Sequence, residues 1–178
     1  VCINPCNLDI AREVLEGSDV KIGTVIGFPS GAHTTFSKVA EAIDAYARGA
    51  VELDMVIDIG ALRNGEYDDV YNDIKAVVDA TPAVVKVILE NCYLTKEQIV
   101  KGCQLCEKAG ADFVKTSTGF AEGGATVEDI KLMRESVSEK VHVKAAGGIH
   151  SKEDVEALVA AGADRVGVSR TQAIAAEF

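Results

Sequence analysis

The chain has 178 residues, 48% of them apolar, enough for one globular domain with a sizeable core. Eighteen basic against 28 acidic side chains leave a net charge of -10, which argues against nucleic acid and anionic membrane surfaces as partners and obliges an anionic substrate to find local cations or backbone N–H groups. No apolar run approaches the roughly 20 residues that span a bilayer, and no signal peptide is visible.

The chain opens almost in a strand, Cys2–Asn4, with no initiator Met, and a helix is predicted near Leu8–Leu15. Strand Ile22–Phe28 leads into a loop bearing His33, which either borders a site or is a plain loop residue, and then into helix Phe36–Arg48. Strand Val51–Asp58 sets Glu52, Asp54, Val56 and Asp58 on one face. An ionised Asp54 in mid-strand needs a partner, and Lys144 is a candidate. After helix Asp68–Asp79, strand Val84–Glu90 sets Lys86, Ile88 and Glu90 on one face; Asp58, Lys86 and Glu90 read as supporting residues, more structural than catalytic. Helix Lys96–Ala109 begins at a capping box, Thr95 to Gln98. It carries Cys103 and Cys106, read as two core thiols because no second Cys/His pair has ligand spacing. The odd total of five cysteines suggests reduced thiols in an intracellular enzyme.

Strand Phe113–Thr118 holds Lys115 in mid-run, on the face of Phe113 and Ser117, and passes into the small residues Thr116-Ser117-Thr118-Gly119. Helix Val127–Glu135 leads to strand Val141–Ala145, where Lys144 shares a face with His142. His142 is expected one layer deeper, as a hydrogen-bonded core residue. Gly147-Gly148 follows, then His150, a surface residue before helix Lys152–Ala161, whose Ser151 and Asp154 resemble a second capping box. Strand Arg165–Ser169 ends in Gly167-Val168-Ser169-Arg170 ahead of a short helix. Gly49, Gly110 and Gly162 each stop a helix just before a strand, a weak internal repeat with no linker.

Alternating strands and helices indicate parallel βα units. A doubly wound sheet fits this order, but charges recurring on one face of many strands converge only if that face lines a common interior. The expected fold is therefore α/β, a (β/α)8 barrel of TIM type, as a single domain over residues 1–178 with seven βα units present and the first strand missing.

Two lysines inside apolar runs are held where their charge is disfavoured, and each disfavours the other further. That arrangement favours an uncharged amine able to attack a carbonyl, so Lys115 is the expected Schiff-base nucleophile and Lys144 its cationic neighbour. A carboxylate–lysine pair, Asp54 with Lys144, could relay protons. Both lysines also have a plainer reading as structural ion pairs. Gly147-Gly148 and Gly167-Val168-Ser169-Arg170 follow successive strands near the chain's end, where barrels commonly bind phosphate. No G-x-G-x-x-G, P-loop or nucleophile elbow is present.

Phe113-Val114-Lys115-Thr116-Ser117-Thr118-Gly119-Phe120, Val143-Lys144-Ala145-Ala146-Gly147-Gly148-Ile149, Glu52-Leu53-Asp54-Met55-Val56-Ile57, Val25-Ile26-Gly27-Phe28-Pro29 and Val85-Lys86-Val87-Ile88-Leu89-Glu90 together resemble deoxyribose-phosphate aldolases, in order over essentially the whole chain. The resemblance implies a class I aldolase without metal or organic cofactor. It would cleave 2-deoxy-D-ribose 5-phosphate to D-glyceraldehyde 3-phosphate and acetaldehyde in deoxynucleoside catabolism in the cytoplasm, and it leaves a homo-oligomer open. It implies Lys115 as the Schiff-base lysine, Lys144 as the perturbing lysine and proton-relay partner, and Asp54 as proton donor and acceptor. Phosphate would lie near Thr118, Gly119, Gly147, Gly148 and Ser169. The family's first strand, with an Asp-His-Thr-like motif, has no counterpart here. Gly-Val-Ser-Arg replaces Gly-Ala-Ser-Ser or Gly-Ala-Ser-Ala, and His142 replaces what is often a small residue. Two alternatives remain: a Schiff-base aldolase for another sugar phosphate, and an inactive truncated chain that only binds phosphate ligands.

Overall fold

Strands of this chain have two chemically different faces, and the fold follows from that difference. The computed structural model describes residues 1–178. Seven strands run β1 (Cys2–Ile3), β2 (Gly23–Ile26), β3 (Glu52–Val56), β4 (Val84–Ile88), β5 (Phe113–Lys115), β6 (His142–Ala146) and β7 (Arg165–Gly167). They form one parallel sheet in sequence order, with neighbours hydrogen-bonded throughout. Leu53, Met55, Val85, Val87, Val114, Val143 and Ala145 point outward into a core cluster of 34 buried residues beneath the helices. The alternate positions Glu52, Asp54, Lys86, Phe113, Lys115, His142, Lys144 and Arg165 share the other face.

Contacts across that second face show that the sheet is curled. In a flat sheet with strands about 4.8 Å apart, β3 would lie about 14 Å from β6 and about 19 Å from β7. Instead Lys144 of β6 reaches Asp54 of β3 at 2.8 Å, and Arg165 of β7 reaches Glu52 of β3 at 2.8 Å. The sheet is thus a barrel wall of the (β/α)8 type with seven strands, open between β7 and β1.

Helices α1 (Leu8–Val14), α2 (Thr35–Ala47), α3 (Ile59–Asn64), α4 (Tyr67–Ala80), α5 (Lys96–Ala109), α6 (Val127–Ser136), α7 (Lys152–Ala160) and α8 (Thr171–Ala175) alternate with the strands. Both capping boxes form: Thr95 with Gln98 starts α5, and Ser151 with Asp154 starts α7. Cys103 and Cys106 are buried free thiols on the inner side of α5. Burial pushes Cys103 up to about 12 and Cys106 well above the ordinary thiol range, which makes them inert core residues.

Every strand but β6 ends earlier than its apolar run suggests. The run to Thr118 leaves strand at Lys115, because the Thr116 hydroxyl takes over, donating to Ala146 O and accepting from Ala146 N, both at 3.0 Å. Asp58 is not an inward strand residue. Its carboxylate accepts from Ala61 N at 2.9 Å and caps α3, a helix the sequence reading missed; Gly65, at φ 80°, closes the other end. Lys38 of α2 was also missed. It is fully buried, with Nζ on Asp73 at 2.6 Å and on Val56 O at 3.0 Å, tying α2 to α4 and to the end of β3. Gly31 lets the β2–α2 loop close over β3, since a Cβ there would lie 1.9 Å from Ile57 O.

Candidate active site

Three lysines from successive strands meet on one carboxylate. Asp54 of β3 is completely buried. Its Oδ2 accepts from Lys115 Nζ of β5 at 2.7 Å and from Lys144 Nζ of β6 at 2.8 Å, and its Oδ1 accepts from Lys86 Nζ of β4 at 2.8 Å. The two amines on Oδ2 therefore cannot be farther apart than those two distances together. Lys86 also pairs with Glu52 at 2.8 Å, and Glu52 is gripped from the far side by Arg165. The parallel register sets Asp54 beside Lys86 and Lys115 beside Lys144; the curl of the sheet then brings the two pairs together.

Burial works to raise the pKa of Asp54, but the charges of Lys115, Lys144 and Lys86 outweigh it and hold the carboxyl well below the usual range. Burial lowers the pKa of Lys144; Asp54 opposes this, and the Lys115 and Lys86 charges add to it. The cluster holds four cations, Lys86, Lys115, Lys144 and Arg165, against two carboxylates, Asp54 and Glu52. This local positive excess inverts the net charge of -10 and suits an anionic substrate.

Lys115 ends β5, and its register partner Lys144 lies two residues before the end of β6, so both lie in the half of the barrel nearer the C-terminal rim, where the loops form the mouth of a barrel site. Two of these loops touch. Ala125 N donates to Gly147 O at 3.0 Å, and a Cβ on Gly147 would lie 3.2 Å from Gly124 Cα, with Ser117 and Gly119 next nearest. Gly119, Gly147 and Gly148 all have positive φ, and around Gly119 there is open space. Ser169 and Arg170 are exposed after β7. Thr118 is turned toward Glu90: its N–H donates to Glu90 Oε1 at 3.2 Å and its hydroxyl donates to Glu90 Oε2. Glu90 is 2% exposed and sits at φ 57°, a strained conformation for a non-glycine residue.

The sequence reading placed Lys86 in a supporting role; the structure gives it direct contact with Asp54. His142 is a correction. It does lie one layer below Lys144 on the same face, but its side chain is exposed, 3.4 Å from Asp164 and tilted against Phe113 at 5.0 Å. His142 is the first residue of β6, at the rim of the sheet, where one ring and one carboxylate do not enclose it. His33 is half-buried, its Nδ1 enclosed and without a hydrogen-bond partner, and it makes no bond to the cluster. His150 is exposed, and its N–H donates to Asp154.

The profile of the DeoC/LacD family aldolases matches residues 1–172. The deoxyribose-phosphate aldolase of Thermoanaerobacter pseudethanolicus is 56% identical over 182 residues, taking in 100% of this chain and 82% of the relative. Among solved structures, an aldolase designated QR15 superposes with a TM-score of 0.96 at 44% identity, over 100% of this chain and 80% of that one. The tetrameric deoxyribose phosphate aldolase from Aeropyrum pernix does so with a TM-score of 0.89 at 32% identity, over 97% and 74%. A family match over residues 1–172 and 56% identity along the whole of this chain make it a member of the DeoC/LacD family of aldolases.

Proposed function

We propose that this chain, one barrel domain over residues 1–178, is a class I aldolase. It reversibly cleaves 2-deoxy-D-ribose 5-phosphate to D-glyceraldehyde 3-phosphate and acetaldehyde through a Schiff base on Lys115. The observation that carries this reading is the pair of buried amines on a single oxygen of Asp54. Lys115 is the nucleophile of the two because its run Lys115-Thr116-Ser117-Thr118-Gly119 carries the resemblance to the family's Schiff-base lysine, and open space lies at Gly119.

Neutral Lys115 adds to C1 of the open-chain sugar, and loss of water gives an iminium that draws electrons from the C2–C3 bond. The C3 hydroxyl proton leaves to the Asp54–Lys144 pair as C2–C3 breaks, releasing glyceraldehyde 3-phosphate and leaving a two-carbon enamine on Lys115. The same pair returns a proton to C2, and water releases acetaldehyde. Backbone N–H groups around Gly119, Gly147 and Gly148 bind the phosphate, with Ser169 and Thr118 at the margin. A phosphorylated substrate, which does not cross membranes unaided, puts the reaction in the cytoplasm. The tetramer of the Aeropyrum pernix relative supports a homo-oligomer here.

Incubation with 2-deoxy-D-ribose 5-phosphate should release acetaldehyde, and borohydride should fix a two-carbon adduct on Lys115, mapped by peptide mass. Preferential cleavage of another sugar phosphate, or an adduct on a different residue, would refute the reading. Lys144→Leu removes a cation that disfavours a second one beside it. The pH midpoint of adduct formation should therefore move up by about one unit, and kcat should fall about 100-fold with the lost relay. An unchanged profile would mean that the two amines are uncoupled.

A further inference from the structure

We propose that Lys86 is a positioning residue for this reaction: by binding Oδ1 of Asp54 it fixes the carboxylate so that Oδ2 alone serves the two amines. The proposal rests on the aldolase reading and goes beyond it, since it assigns a role to the third lysine and to the ion-pair chain behind it. Lys86 is 1% exposed, and its Nζ bridges Asp54 Oδ1 and Glu52 Oε2, each at 2.8 Å. Glu52 is held in turn by Arg165 Nη1, at 3.0 Å and 2.8 Å to its two oxygens. Arg165 and Lys86 both lie over the Phe113 ring, at 4.8 Å and 5.9 Å from its centroid. The chain Arg165–Glu52–Lys86–Asp54 thus crosses the barrel from β7 through β3 and β4 back to β3, and its outer end is the half-exposed Arg165.

Geometry separates Lys86 from the other two lysines. Lys115 and Lys144 share Oδ2, at the end where the glycine loops open. Lys86 is on the other oxygen, between two carboxylates and against an aromatic ring, and is 1% exposed where Lys115 and Lys144 are each 6%. A carboxylate with only its Oδ2 contacts could turn about its last torsion; with Oδ1 anchored it cannot turn without breaking the Lys86 bond. Arg165 begins β7 beside its register partner Lys144, and its guanidinium is bound to both oxygens of Glu52, so its hold on Lys86 runs through that carboxylate.

The experiment compares the parent chain with Lys86→Met and Arg165→Gln, using 2-deoxy-D-ribose 5-phosphate, borohydride trapping and pH profiles of kcat and KM. In Lys86→Met, trapping on Lys115 should persist and KM should stay within a few-fold. kcat should fall about 30-fold, and the acidic limb of its pH profile should move up by about one unit, because a cation that favours ionised Asp54 and disfavours charged amines is gone. Arg165→Gln, half-exposed and expected to fold, frees Glu52 to draw Lys86 away from Asp54, so kcat should fall about 5-fold with KM unchanged. Parent-like kcat and pH limb in a folded Lys86→Met would overturn the proposal. If that variant does not fold, parent-like values in Arg165→Gln would overturn it. Loss of trapping in folded Lys86→Met would also do so, by making Lys86 part of the covalent step. Failure of the parent itself to form the adduct would instead refute the aldolase reading.

Discussion

Lys115→Ala should abolish the borohydride-trapped adduct and lower kcat/KM by at least about 10,000-fold, the order expected when a covalent nucleophile is lost. The fold should survive. Asp54 keeps Lys86 on Oδ1 and Lys144 on Oδ2, so no buried charge is left without a partner, and one of several crowded cations has gone. A circular dichroism melt separates this outcome from simple unfolding. The variant also tests the choice between the two amines. If a folded Lys115→Ala chain still forms an adduct, and peptide mapping finds it on Lys144, the two lysines have exchanged roles and the open space at Gly119 is not the substrate's approach.

Asp54→Asn should damage both activity and stability. Proton transfer between the amines and the substrate loses its shared carboxylate, and kcat should fall on the order of 1,000-fold. Three buried lysines lose their common counter-charge, leaving only Glu52 nearby, and breaking such a cluster by removing one partner costs about 3–5 kcal/mol. The pH dependence has a definite sign. The folded-state pKa of Asp54 is depressed, so its contribution to stability is fully present above the unfolded value near ~3.9 and fades as pH falls below it. The stability gap between parent and Asp54→Asn should therefore be full at pH 7 and narrow as the pH drops below ~3.9. It should also narrow in strong alkali, as the lysines shed the protons whose repulsion destabilises the variant. Denaturant melts of both chains at pH 3, 7 and 10 would read this out. A gap that is constant across pH would mean that the loss is steric rather than electrostatic.

Helix α5 was legible to the residue, Lys96–Ala109, because a capping box marks its start and Gly110, at φ 88°, its end. Helix α3 was not, although Asp58 and Gly65 supply the same kinds of signal. Asp58 also continues the alternation of Glu52, Asp54 and Val56, and nothing local says where the pleat stops. The interior face of the barrel was legible for the same reason that Asp58 misled: charged residues at every second position of apolar runs. Lys38 went unnoticed because its partners, Asp73 and Val56 O, lie 35 and 18 residues away on other elements. His142 was misplaced because alternation assigns a face and not a depth of cover.

Local chemistry in the linear chain was enough to determine most of the alternating elements, the polar lining of one sheet face and the place of Asp54, Lys115 and Lys144 on it. Propensity, capping and side-chain alternation act over a few residues and are written locally. The meeting of three lysines on two oxygens of one carboxylate, with Lys86 sent to Oδ1 and Lys115 and Lys144 to Oδ2, was decided only by the curl and register of the sheet. Strands that would stand about 14 Å apart when flat come within hydrogen-bond reach when the wall bends, and that bend is a property of all the strands packing together rather than of any one of them.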